Sequence, residues 1–394
     1  MKSLVCMGFA EALSAPEAAW SLVDAGFEVV AFARKGRHCA LRHSAQVEVI
    51  EITPPEWDAR QAQADLEKAL VARRLGEGRP GVIFPLDDAA LWLCNRLRLT
   101  PEWRLAGPSG AAAELALNKA VQIESARTAG FNVLPTSVAS SVPEVLARRQ
   151  ELPLMLRPAR AVLAENGQLR KGRNWICANQ AELDRTLSEW ADAWPLLVQP
   201  FALGQGEGVF GLATAAGVLG WSGHRRLRMM NPHGSGSSAC VSQPVEPGIR
   251  VAVEQLIQQT GWRGLFMVEL LRDGSGKPWF VEFNGRPWGS LALARRQGLE
   301  YPAWAARLAL NPEVGLEIPS PDDQQVICRN AGREFMHLLF VLRGPKSNAL
   351  RAWPSFWRTL LELARVRRHD TFYNWRADDL KVFFSIGGTP CVTT

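Results

Sequence analysis

The feature that most constrains this chain is a β-hairpin pattern at residues 265–290. Two short apolar runs stand on either side of the letters RDGSGK, which have the composition of a turn. Because side chains alternate along a strand, a four-residue loop of residues 274–277 places Glu269 directly opposite Glu282, with Asn284 on the same face. Like charges in such a pair repel each other, so a shared proton, a basic side chain or a metal ion must offset the repulsion.

The same pattern predicts on which face the other side chains of the hairpin lie and what the polar ones can bind. Alternation predicts that Phe280 lies on the face of the two glutamates and that Phe283 lies on the opposite face. Two carboxylates and the Asn284 amide are hard oxygen ligands that suit Mg²⁺ or Mn²⁺. Arg286, just beyond, carries a guanidinium suited to phosphate. An exposed hairpin with scattered polar residues is the alternative, and a register slipped by one residue would separate the glutamates.

The first part of the chain alternates strand-like and helix-like segments, which indicates an α/β unit with a parallel sheet. The predicted strands are 4–9, 28–33, 47–52 and 81–85, and the predicted helices are 16–25 and 57–75. No GxGxxG follows the first strand, so a dinucleotide site is not predicted. Asp87 and Asp88 follow the last strand, where they either face a crevice at the carboxyl edge of the sheet or cap a helix.

Composition excludes several classes of protein. The 394 residues suffice for two or three domains, and no apolar run of about 18 residues predicts a membrane span. The chain enters a strand directly, without the pattern of a secretory signal. Seven cysteines stand singly, which favours reduced thiols in a cytoplasm over a zinc ribbon or a disulfide framework. The net charge of +6 is dispersed, which argues against nucleic acid and suits phosphates and acidic substrates.

Three pieces of the hairpin region carry a resemblance to a known family. Glu269, the letters EFNGR of residues 282–286 and the letters WGS of residues 288–290 together resemble the signature of the ATP-grasp superfamily. The branch that looks most similar contains the ATP-binding half-domains of carbamoyl-phosphate synthetase. Gly285 stands where the family more often has proline.

The resemblance implies a protein of the α/β class that contains the α+β arrangement known as the ATP-grasp fold. It implies a Rossmann-like parallel-sheet domain at residues 1–105 and a two-lobed ATP-grasp domain at residues 106–312. The lobes would span about 106–190 and 191–312, and a small, separate C-terminal region would occupy 313–394. In that region an amphipathic helix over residues 355–367 either docks on the ATP-binding domain or serves as a membrane-surface or partner helix.

The resemblance implies a role for each polar residue of the hairpin. Glu269, Glu282 and Asn284 would hold magnesium or manganese, with two ions expected. Arg286 would contact the transferred phosphate.

The resemblance also implies a binding site for ATP. Two basic residues would reach the phosphates, one in a helix predicted over residues 111–129 and one at the end of a strand, and a third would act from a lid-like loop. Adenine would lie at a hinge in which Pro200 replaces the usual carboxylate and offers no N–H, and a downstream carboxylate would bind ribose. Lys119, Arg157 and Lys171 are the three basic residues in that order. Gln199, Phe201 and Ala202 form the hinge, and Glu207 is the carboxylate for ribose.

A basic segment, HRRLR at residues 224–228, precedes a Gly/Ser-rich run. Cations so close together are unfavourable to bury unpaired, so they are either solvated or face anions, and backbone N–H groups of the run can hold an oxyanion. The resemblance places this segment beside the substrate, while Met229 departs from the family's glutamate and indicates a different acceptor. It implies catalytic roles for His224, Arg226 and Arg286, and substrate contacts from Arg225, Ser235, Gly236, Ser237 and Trp288.

The activity that the resemblance implies is that of an ADP-forming ligase. ATP would phosphorylate a carboxylate to an acyl phosphate, and an amine would attack it to form an amide or peptide bond. The partners would be a small carboxylate and an amine of the amino-acid type, with a homodimer as a common assembly. A phosphotransferase that stops at a phosphorylated product, and a non-catalytic nucleotide-binding interaction protein, are the alternatives.

Overall fold

Three β-sheets and a two-stranded hairpin contain the named strands that the structure describes. The structure is a computed structural model, and it describes residues 2–73, 80–191, 193–234, 236–319, 325–345, 353–367 and 370–385. Ser235, one of the predicted substrate contacts, lies outside these ranges. No helix within them is long and apolar enough to cross a membrane.

The chain begins with a five-stranded parallel sheet, as predicted. Its strands are β1 (Leu4–Gly8), β2 (Glu28–Arg34), β3 (Glu48–Ile52), β4 (Gly81–Pro85) and β5 (Trp103–Leu105), in the order β3-β2-β1-β4-β5. Its helices are α1 (Ala15–Asp24), α2 (Ala59–Ala72) and α3 (Asp88–Cys94). The central strands β1 and β4 are buried along their whole length, which explains their uninterrupted apolar sequences. The predicted α/β unit is therefore confirmed.

Two helices, α4 (Gly110–Leu117) and α5 (Lys119–Thr128), stand where one helix was predicted over residues 111–129. The break is at Asn118, whose side chain accepts hydrogen bonds from the N–H groups of Ala120 (3.1 Å) and Val121 (3.4 Å) and so caps α5. The N–H of Lys119 donates to the carbonyl of Ala159 (2.8 Å) instead of continuing α4. The correction matters because it places Lys119 at the first position of a helix.

A four-stranded antiparallel sheet follows, in the order β10-β7-β11-β6. Its strands are β6 (Ser137–Ala139) and β7 (Leu154–Pro158), then, after the hairpin β8 (Leu163–Glu165) and β9 (Gln168–Arg170), β10 (Trp175–Cys177) and β11 (Leu196–Pro200), with helices α6 (Val142–Leu146) and α7 (Gln180–Trp190). The hairpin occupies the predicted lid-like loop. It packs on the first unit, because Ala59 N–H donates to Gly167 O (2.8 Å) and Leu169 N–H donates to Pro55 O (2.7 Å).

The largest sheet has seven strands, in the order β16-β15-β12-β13-β14-β17-β18. The strands are β12 (Gln205–Thr214), β13 (Gly217–Met229), β14 (Ser237–Gln243), β15 (Gly264–Arg272), β16 (Pro278–Asn284), β17 (Ile327–Arg329) and β18 (Asp370–Phe372). The helices of this part are α8 (Pro247–Thr260), α9 (Leu291–Arg295), α10 (Tyr301–Leu310), α11 (Ala331–Arg343), α12 (Phe356–Ala364) and α13 (Leu380–Ser385). Short 3₁₀ turns lie at Ala40–His43, Arg149–Glu151 and Ala377–Asp379.

The C-terminal part of the chain is not a separate piece, contrary to expectation. Strand β17 pairs with β14, and β18 pairs with β17, so both continue the seven-stranded sheet. Asp379 accepts hydrogen bonds from the Trp20 indole (3.0 Å) and the Ser44 hydroxyl (2.5 Å), both in the first unit. Residues that are remote in sequence supply these contacts, so sequence patterns gave no signal of them.

One hydrophobic cluster joins the parallel sheet to the seven-stranded sheet. It contains Met7 and Phe84 from the first sheet together with Phe210 and Trp288 from the other side. Helix α10 contacts both β4 and β15. This packing sets the carboxyl ends of β2 and β4 beside the hairpin formed by β15 and β16.

Candidate active site

The two glutamates of the β15–β16 hairpin lie opposite each other, as predicted. The route to that register is different, however. Arg272 pairs with Pro278, so the loop has five residues (273–277) instead of four, and a register shift next to the Glu269–Glu282 pair leaves Val281 as the extra residue. The bulge offsets the longer loop.

The bulge also changes which side chains share a face. Phe280 and Phe283 lie in the same buried hydrophobic cluster, and Phe280 contacts Phe131 while Phe283 contacts Trp262. The prediction that Phe280 shares the glutamate face is therefore wrong. Strict alternation does not hold across an extra residue, and nothing local in the sequence marks the bulge.

Glu282 lies at the centre of a cluster of charges from three parts of the chain. Its carboxylate is 3.0 Å from Lys119 Nζ and accepts a hydrogen bond from Arg157 Nη2 at 2.7 Å. Burial opposes its ionisation, but the positive charges of Lys119, Arg157 and Arg286 prevail and lower its pKa to about 2. Burial lowers the pKa of Lys119, an effect that Glu282 partly offsets. The structure thus brings together Lys119, Arg157 and Glu282, which were predicted separately.

The second glutamate has its own cation. Arg226, on β13, donates a hydrogen bond to the Glu269 carboxylate. Burial disfavours the charged guanidinium, yet Glu269 outweighs this effect and raises the pKa of Arg226. The repulsion expected between the paired glutamates is therefore offset by basic side chains, which was one of the possibilities that the sequence left open.

Arg286 reaches across to the parallel sheet. Its Nε donates to Asp88 Oδ1 at 2.9 Å and its Nη2 donates to Asp88 Oδ2 at 3.3 Å. Burial acts against this charge, but Asp88 raises the pKa of Arg286, and Arg286 in turn lowers the pKa of Asp88 against the effect of burial. Of the two alternatives predicted for the aspartates, the structure shows the helix cap at Asp87 and the position facing the crevice at Asp88. Asp87 caps α3 by accepting from Ala90 N–H (2.7 Å), while Asp88 faces the crevice.

The donor set of the hairpin fits a hard divalent cation bound together with phosphate. Asn284 is buried and pairs with Met267, two residues along from the Glu269–Glu282 pair. Within the described ranges no cluster of three or more His, Cys, Asp or Glu side chains could hold a metal ion. A cation here would therefore have two carboxylates and one amide from the protein, and Mg²⁺ in nucleotide sites takes its remaining ligands from phosphates and water.

The predicted adenine hinge lies at the end of β11 and is partly occupied by protein contacts. Gln199 is buried and its amide donates to the Thr136 hydroxyl at 2.8 Å. The N–H of Phe201 donates to Pro153 O at 2.8 Å, so it is engaged within the protein. Ala202 follows at the start of the turn into β12.

Glu207, the predicted ribose ligand, is buried and forms a two-pronged ion pair with Arg272. The two bonds measure 2.8 and 2.9 Å and occupy both carboxylate oxygens. The structure does not favour a ribose contact, because such a contact would compete with this ion pair. The sequence did not reveal it, since the two residues meet only through the pairing of β12 with β15.

The basic segment on β13 is divided between two faces of the sheet. Arg226 points toward Glu269, whereas Arg225 is exposed on the other side, so the structure does not bring Arg225 to the site. Arg228 forms an ion pair with Glu334 of α11 and has a structural role. Strand alternation separates Arg225 from Arg226, and a register shift between Arg226 and Arg228 interrupts the alternation before Arg228.

His224, predicted to be catalytic, is buried. Its Nδ1 shares a hydrogen bond with Ser290 Oγ (2.7 Å), and its ring packs edge-on against Phe210. Burial, together with Arg226, lowers its pKa well below the usual value, so the imidazole is neutral. A Cβ at Gly208 would come within 2.8 Å of its Nε2, which shows how closely the backbone covers it. His224 therefore supports the site from behind.

Three other predicted substrate contacts form contacts within the protein. Trp288 is buried, stacks on Phe210 with a centroid distance of 4.2 Å and packs against Tyr301, so it belongs to the core. Ser237 is buried at the start of β14 and its carbonyl accepts from Arg333 (3.1 Å). Gly236, just before it, accepts a backbone bond from Met230 N–H.

A group of charges at the carboxyl end of β2 was missed from the sequence. Arg34 bonds to Glu56 (2.9 Å), Asp87 (3.2 Å) and Glu11 (3.4 Å). A cavity of about 60 Å³ lies beside it, lined by Arg34, Glu56, Asp87, Asp88 and Lys171 among others. The signal was available, because Arg34 ends a buried strand at the same edge of the sheet as the aspartate pair. Lys171, predicted to bind ATP, therefore borders the crevice.

Comparison with known proteins addresses the fold. No protein-family model and no curated protein matches the chain. Solved structures do match, among them the biotin carboxylase domain of Hydrogenobacter thermophilus 2-oxoglutarate carboxylase, at 17% identity and a TM-score of 0.61, over 83% of this chain and 74% of that chain. The chain has the ATP-grasp fold.

Two further ATP-grasp structures extend the likeness. The L-amino acid ligase of Bacillus licheniformis matches at 15% identity and a TM-score of 0.56, over 79% of this chain and 74% of that chain. The N5-carboxyaminoimidazole synthetase of Staphylococcus aureus, solved with ADP, matches at 15% identity and a TM-score of 0.58, over 83% and 82%. The likeness establishes the ATP-grasp fold and leaves the reaction to be argued from the residues of the site.

Proposed function

We propose that this protein is an ADP-forming ligase that uses ATP to join a small carboxylate to an amine. One observation carries the proposal: the opposed carboxylates Glu269 and Glu282 lie among Lys119, Arg157 and Arg226. So many buried or half-buried charges are unfavourable for a fold to keep without a use. Their mixture of signs suits the polyphosphate of a nucleotide and the cation that accompanies it.

The proposed reaction has two steps. A carboxylate oxygen of the acid attacks the γ-phosphorus of ATP, the bond from that phosphorus to the β–γ bridging oxygen breaks, and ADP leaves. The amine nitrogen then attacks the acyl carbon of the resulting acyl phosphate, phosphate leaves with the C–O bonding electrons, and the nitrogen loses a proton. The product is an amide, and the by-products are ADP and inorganic phosphate.

The basic residues of the site supply fixed positive charge for these steps. Lys119 and Arg157 are in position to bind phosphate oxygens in exchange for their contacts with Glu282, and Arg286 is in position to contact the transferred phosphoryl group. Preorganised charges stabilise a transition state because they need no reorientation during the reaction. Arg226 orients Glu269 through the hydrogen bond between their side chains.

Glu269, Glu282 and Asn284 would hold Mg²⁺ or Mn²⁺, and we expect two ions. When bound, the metal neutralises charge on the phosphates. The three residues provide the hard oxygen ligands for it, and their position on one hairpin fixes them relative to Lys119 and Arg157.

The crevice beside Arg286 is the proposed site for the acid and the amine. The cavity there is lined by Arg34 and Lys171 as well as by Glu56, Asp87 and Asp88. Both signs of charge within one small cavity suit a molecule that carries an ammonium and a carboxylate, as an amino acid does. The resemblance to an L-amino acid ligase agrees with this substrate class.

The six free cysteines of the described residues are all buried, which agrees with a reducing, cytoplasmic location.

The test is ADP release from Mg-ATP in the presence of pooled amino acids and small carboxylates. Wild-type protein should release ADP only when both co-substrates are present, and Glu282→Gln should reduce the rate by roughly 100-fold or more, since one charged ligand is lost where charge develops. Glu165→Gln, at an exposed glutamate of the β8–β9 hairpin, is the matched control and should behave as wild type.

Three outcomes would contradict the proposal. Release of AMP would exclude the acyl-phosphate route. A phosphorylated product that accumulates without an amine requirement would indicate a phosphotransferase. No ADP release, together with no Mg-ATP binding by calorimetry, would indicate a non-catalytic interaction protein.

A further inference from the structure

Helix α11 leaves large apolar side chains exposed and buries two ionisable ones. Glu334 and His337 are buried on its inner side, together with Val341. Phe335, Leu339 and Leu342, spaced four and three residues apart, are exposed on its outer side, with Phe335 61% and Leu342 65% accessible. An amphipathic helix normally buries its apolar stripe.

An ion-pair network explains why the polar side faces inward. The Glu334 carboxylate pairs with Arg228 of β13 and, at 2.7 Å, with Arg329 of β17, and Arg329 also pairs with Asp370 of β18 at 3.1 Å. Removing Glu334 from this position would take one carboxylate partner from each of the buried guanidinium groups of Arg228 and Arg329. The orientation of the helix is therefore set by contacts on the sheet, and the apolar residues are left outside.

The adjacent helix α12 extends the apolar surface. Trp357 is 71% and Leu361 63% accessible, Leu360 is also exposed, and Thr359 is the side chain of this helix that is buried. Helices α11 and α12 contact each other. We call the six exposed side chains the α11–α12 face; they are Phe335, Leu339, Leu342, Trp357, Leu360 and Leu361.

Positive charge surrounds this face. Arg343, Arg358, Arg365 and Arg367 are all exposed, and Glu362 offsets one of them through its ion pair with Arg358. Among the exposed ionisable side chains of α11, α12 and residues 365–367, four arginines therefore stand against one glutamate.

We propose that the α11–α12 face docks on the surface of an anionic lipid bilayer. Helices with Trp, Phe and Leu on one face and arginine at the flanks bind in the interface of a bilayer, with the apolar side chains at the boundary between headgroups and acyl chains. Each basic residue near an anionic surface adds attraction. A second copy of this chain fits the face less well, because it would bring the exposed arginines of one copy against those of the other.

Vesicle flotation tests the proposal. Wild-type protein should float with phosphatidylcholine vesicles that contain phosphatidylglycerol and remain at the bottom with phosphatidylcholine alone. The double variant Trp357→Ser, Leu361→Ser should reduce the bound fraction by roughly tenfold, because two large apolar anchors are lost. Arg358→Gln with Arg365→Gln should also weaken binding to the anionic vesicles and reduce its salt dependence.

The matched control is Trp57→Ser with Val71→Ser. These side chains are 60% and 76% accessible and lie in the first unit, away from the α11–α12 face. They should leave flotation unchanged, and sedimentation velocity on all variants reports assembly. Equal flotation of Trp357→Ser, Leu361→Ser and of the control Trp57→Ser, Val71→Ser, or no flotation of wild-type protein, would overturn the proposal. A dimer that dissociates only in Trp357→Ser, Leu361→Ser would also overturn it and would identify a second copy as the occupant.

Discussion

Glu282 shows how a single side chain can serve both the fold and a binding site. In the structure it neutralises Lys119 and Arg157, two cations that burial would otherwise penalise. The same carboxylate is one of the proposed metal ligands. A residue with both duties links ligand chemistry to stability, because whatever changes its charge changes the energy of its two partners.

This double duty predicts an acid-dependent loss of stability. The folded-state pKa of Glu282 is about 2, below its ordinary value of 4.5, so its stabilising contribution is complete above about pH 4.5 and is lost as the pH falls toward about 2. In Glu282→Gln, urea unfolding should show a lower midpoint at neutral pH. The variant should also lose less stability than wild type between about pH 6 and about pH 3, by on the order of 1–3 kcal/mol. Glu165→Gln should keep the wild-type dependence of the free energy of unfolding on pH. If that free energy falls equally with decreasing pH in wild type and in both variants, Glu282 is not the source of the acid-dependent loss.

The residues of the hairpin could be identified from sequence, and their environment could not. Turn composition and alternation predict that Glu269 and Glu282 face each other, but they do not predict the longer loop and the bulge that produce this register. Their cations come from β7, β13 and α5, at sequence distances where neither composition nor spacing reports contact. For the same reason Trp288 looked like a ligand, although it packs in the core against Phe210.

The short connection between α4 and α5 decides where Lys119 is held. Asn118 ends one helix and caps the next, and the Lys119 N–H bonds to Ala159 next to the strand that carries Arg157. The sequence around this point has good helix formers throughout, so periodicity predicted one continuous helix. What breaks it is a tertiary hydrogen bond, which overrides a weak local preference.

We expect Asn118→Ala to weaken both the helix and the site. Loss of the cap should reduce the free energy of unfolding by about 1 kcal/mol, and the less constrained Lys119 should raise the KM for ATP. Asn179→Ala is the matched control, because Asn179 caps α7 in the same way by accepting from Glu182 N–H. The control should lose similar stability in urea with an unchanged KM. An equal KM in both variants would show that the cap does not position Lys119.

The parallel sheet and the seven-stranded sheet share one site, so neither is complete alone. Arg286 on one side pairs with Asp88 on the other, and the hydrophobic cluster around Phe84 and Phe210 holds the two together. The parallel sheet itself could be predicted from the alternation of strands and helices. The packing of the parallel sheet against the seven-stranded sheet could not be predicted, because it depends on side chains about 200 residues apart.

The Asp88–Arg286 pair should therefore matter to the whole molecule. In Asp88→Asn a mostly buried guanidinium loses its charge partner, which should reduce the free energy of unfolding by about 3 kcal/mol. It should also lower kcat for ADP release more than it raises the KM for ATP. Glu48→Gln breaks a more exposed ion pair with Arg73 and should lose at most about 1 kcal/mol. Chemical denaturation and steady-state kinetics of both variants measure this contrast, and equal losses would contradict it.

The bulge at Val281 has a consequence for how this chain is compared with its relatives. Compared with a four-residue loop and a regular strand, the hairpin has one extra residue in the loop and one extra residue in the strand. The two have opposite effects on the pairing register. An alignment without gaps matches Glu282 correctly, because the two offsets cancel there, but it shifts every position between the loop and Val281 by one. Transfer of residue roles by such an alignment would be correct at Glu282 and wrong at Phe280, so three-dimensional superposition is the safer basis for comparing metal ligands in this fold.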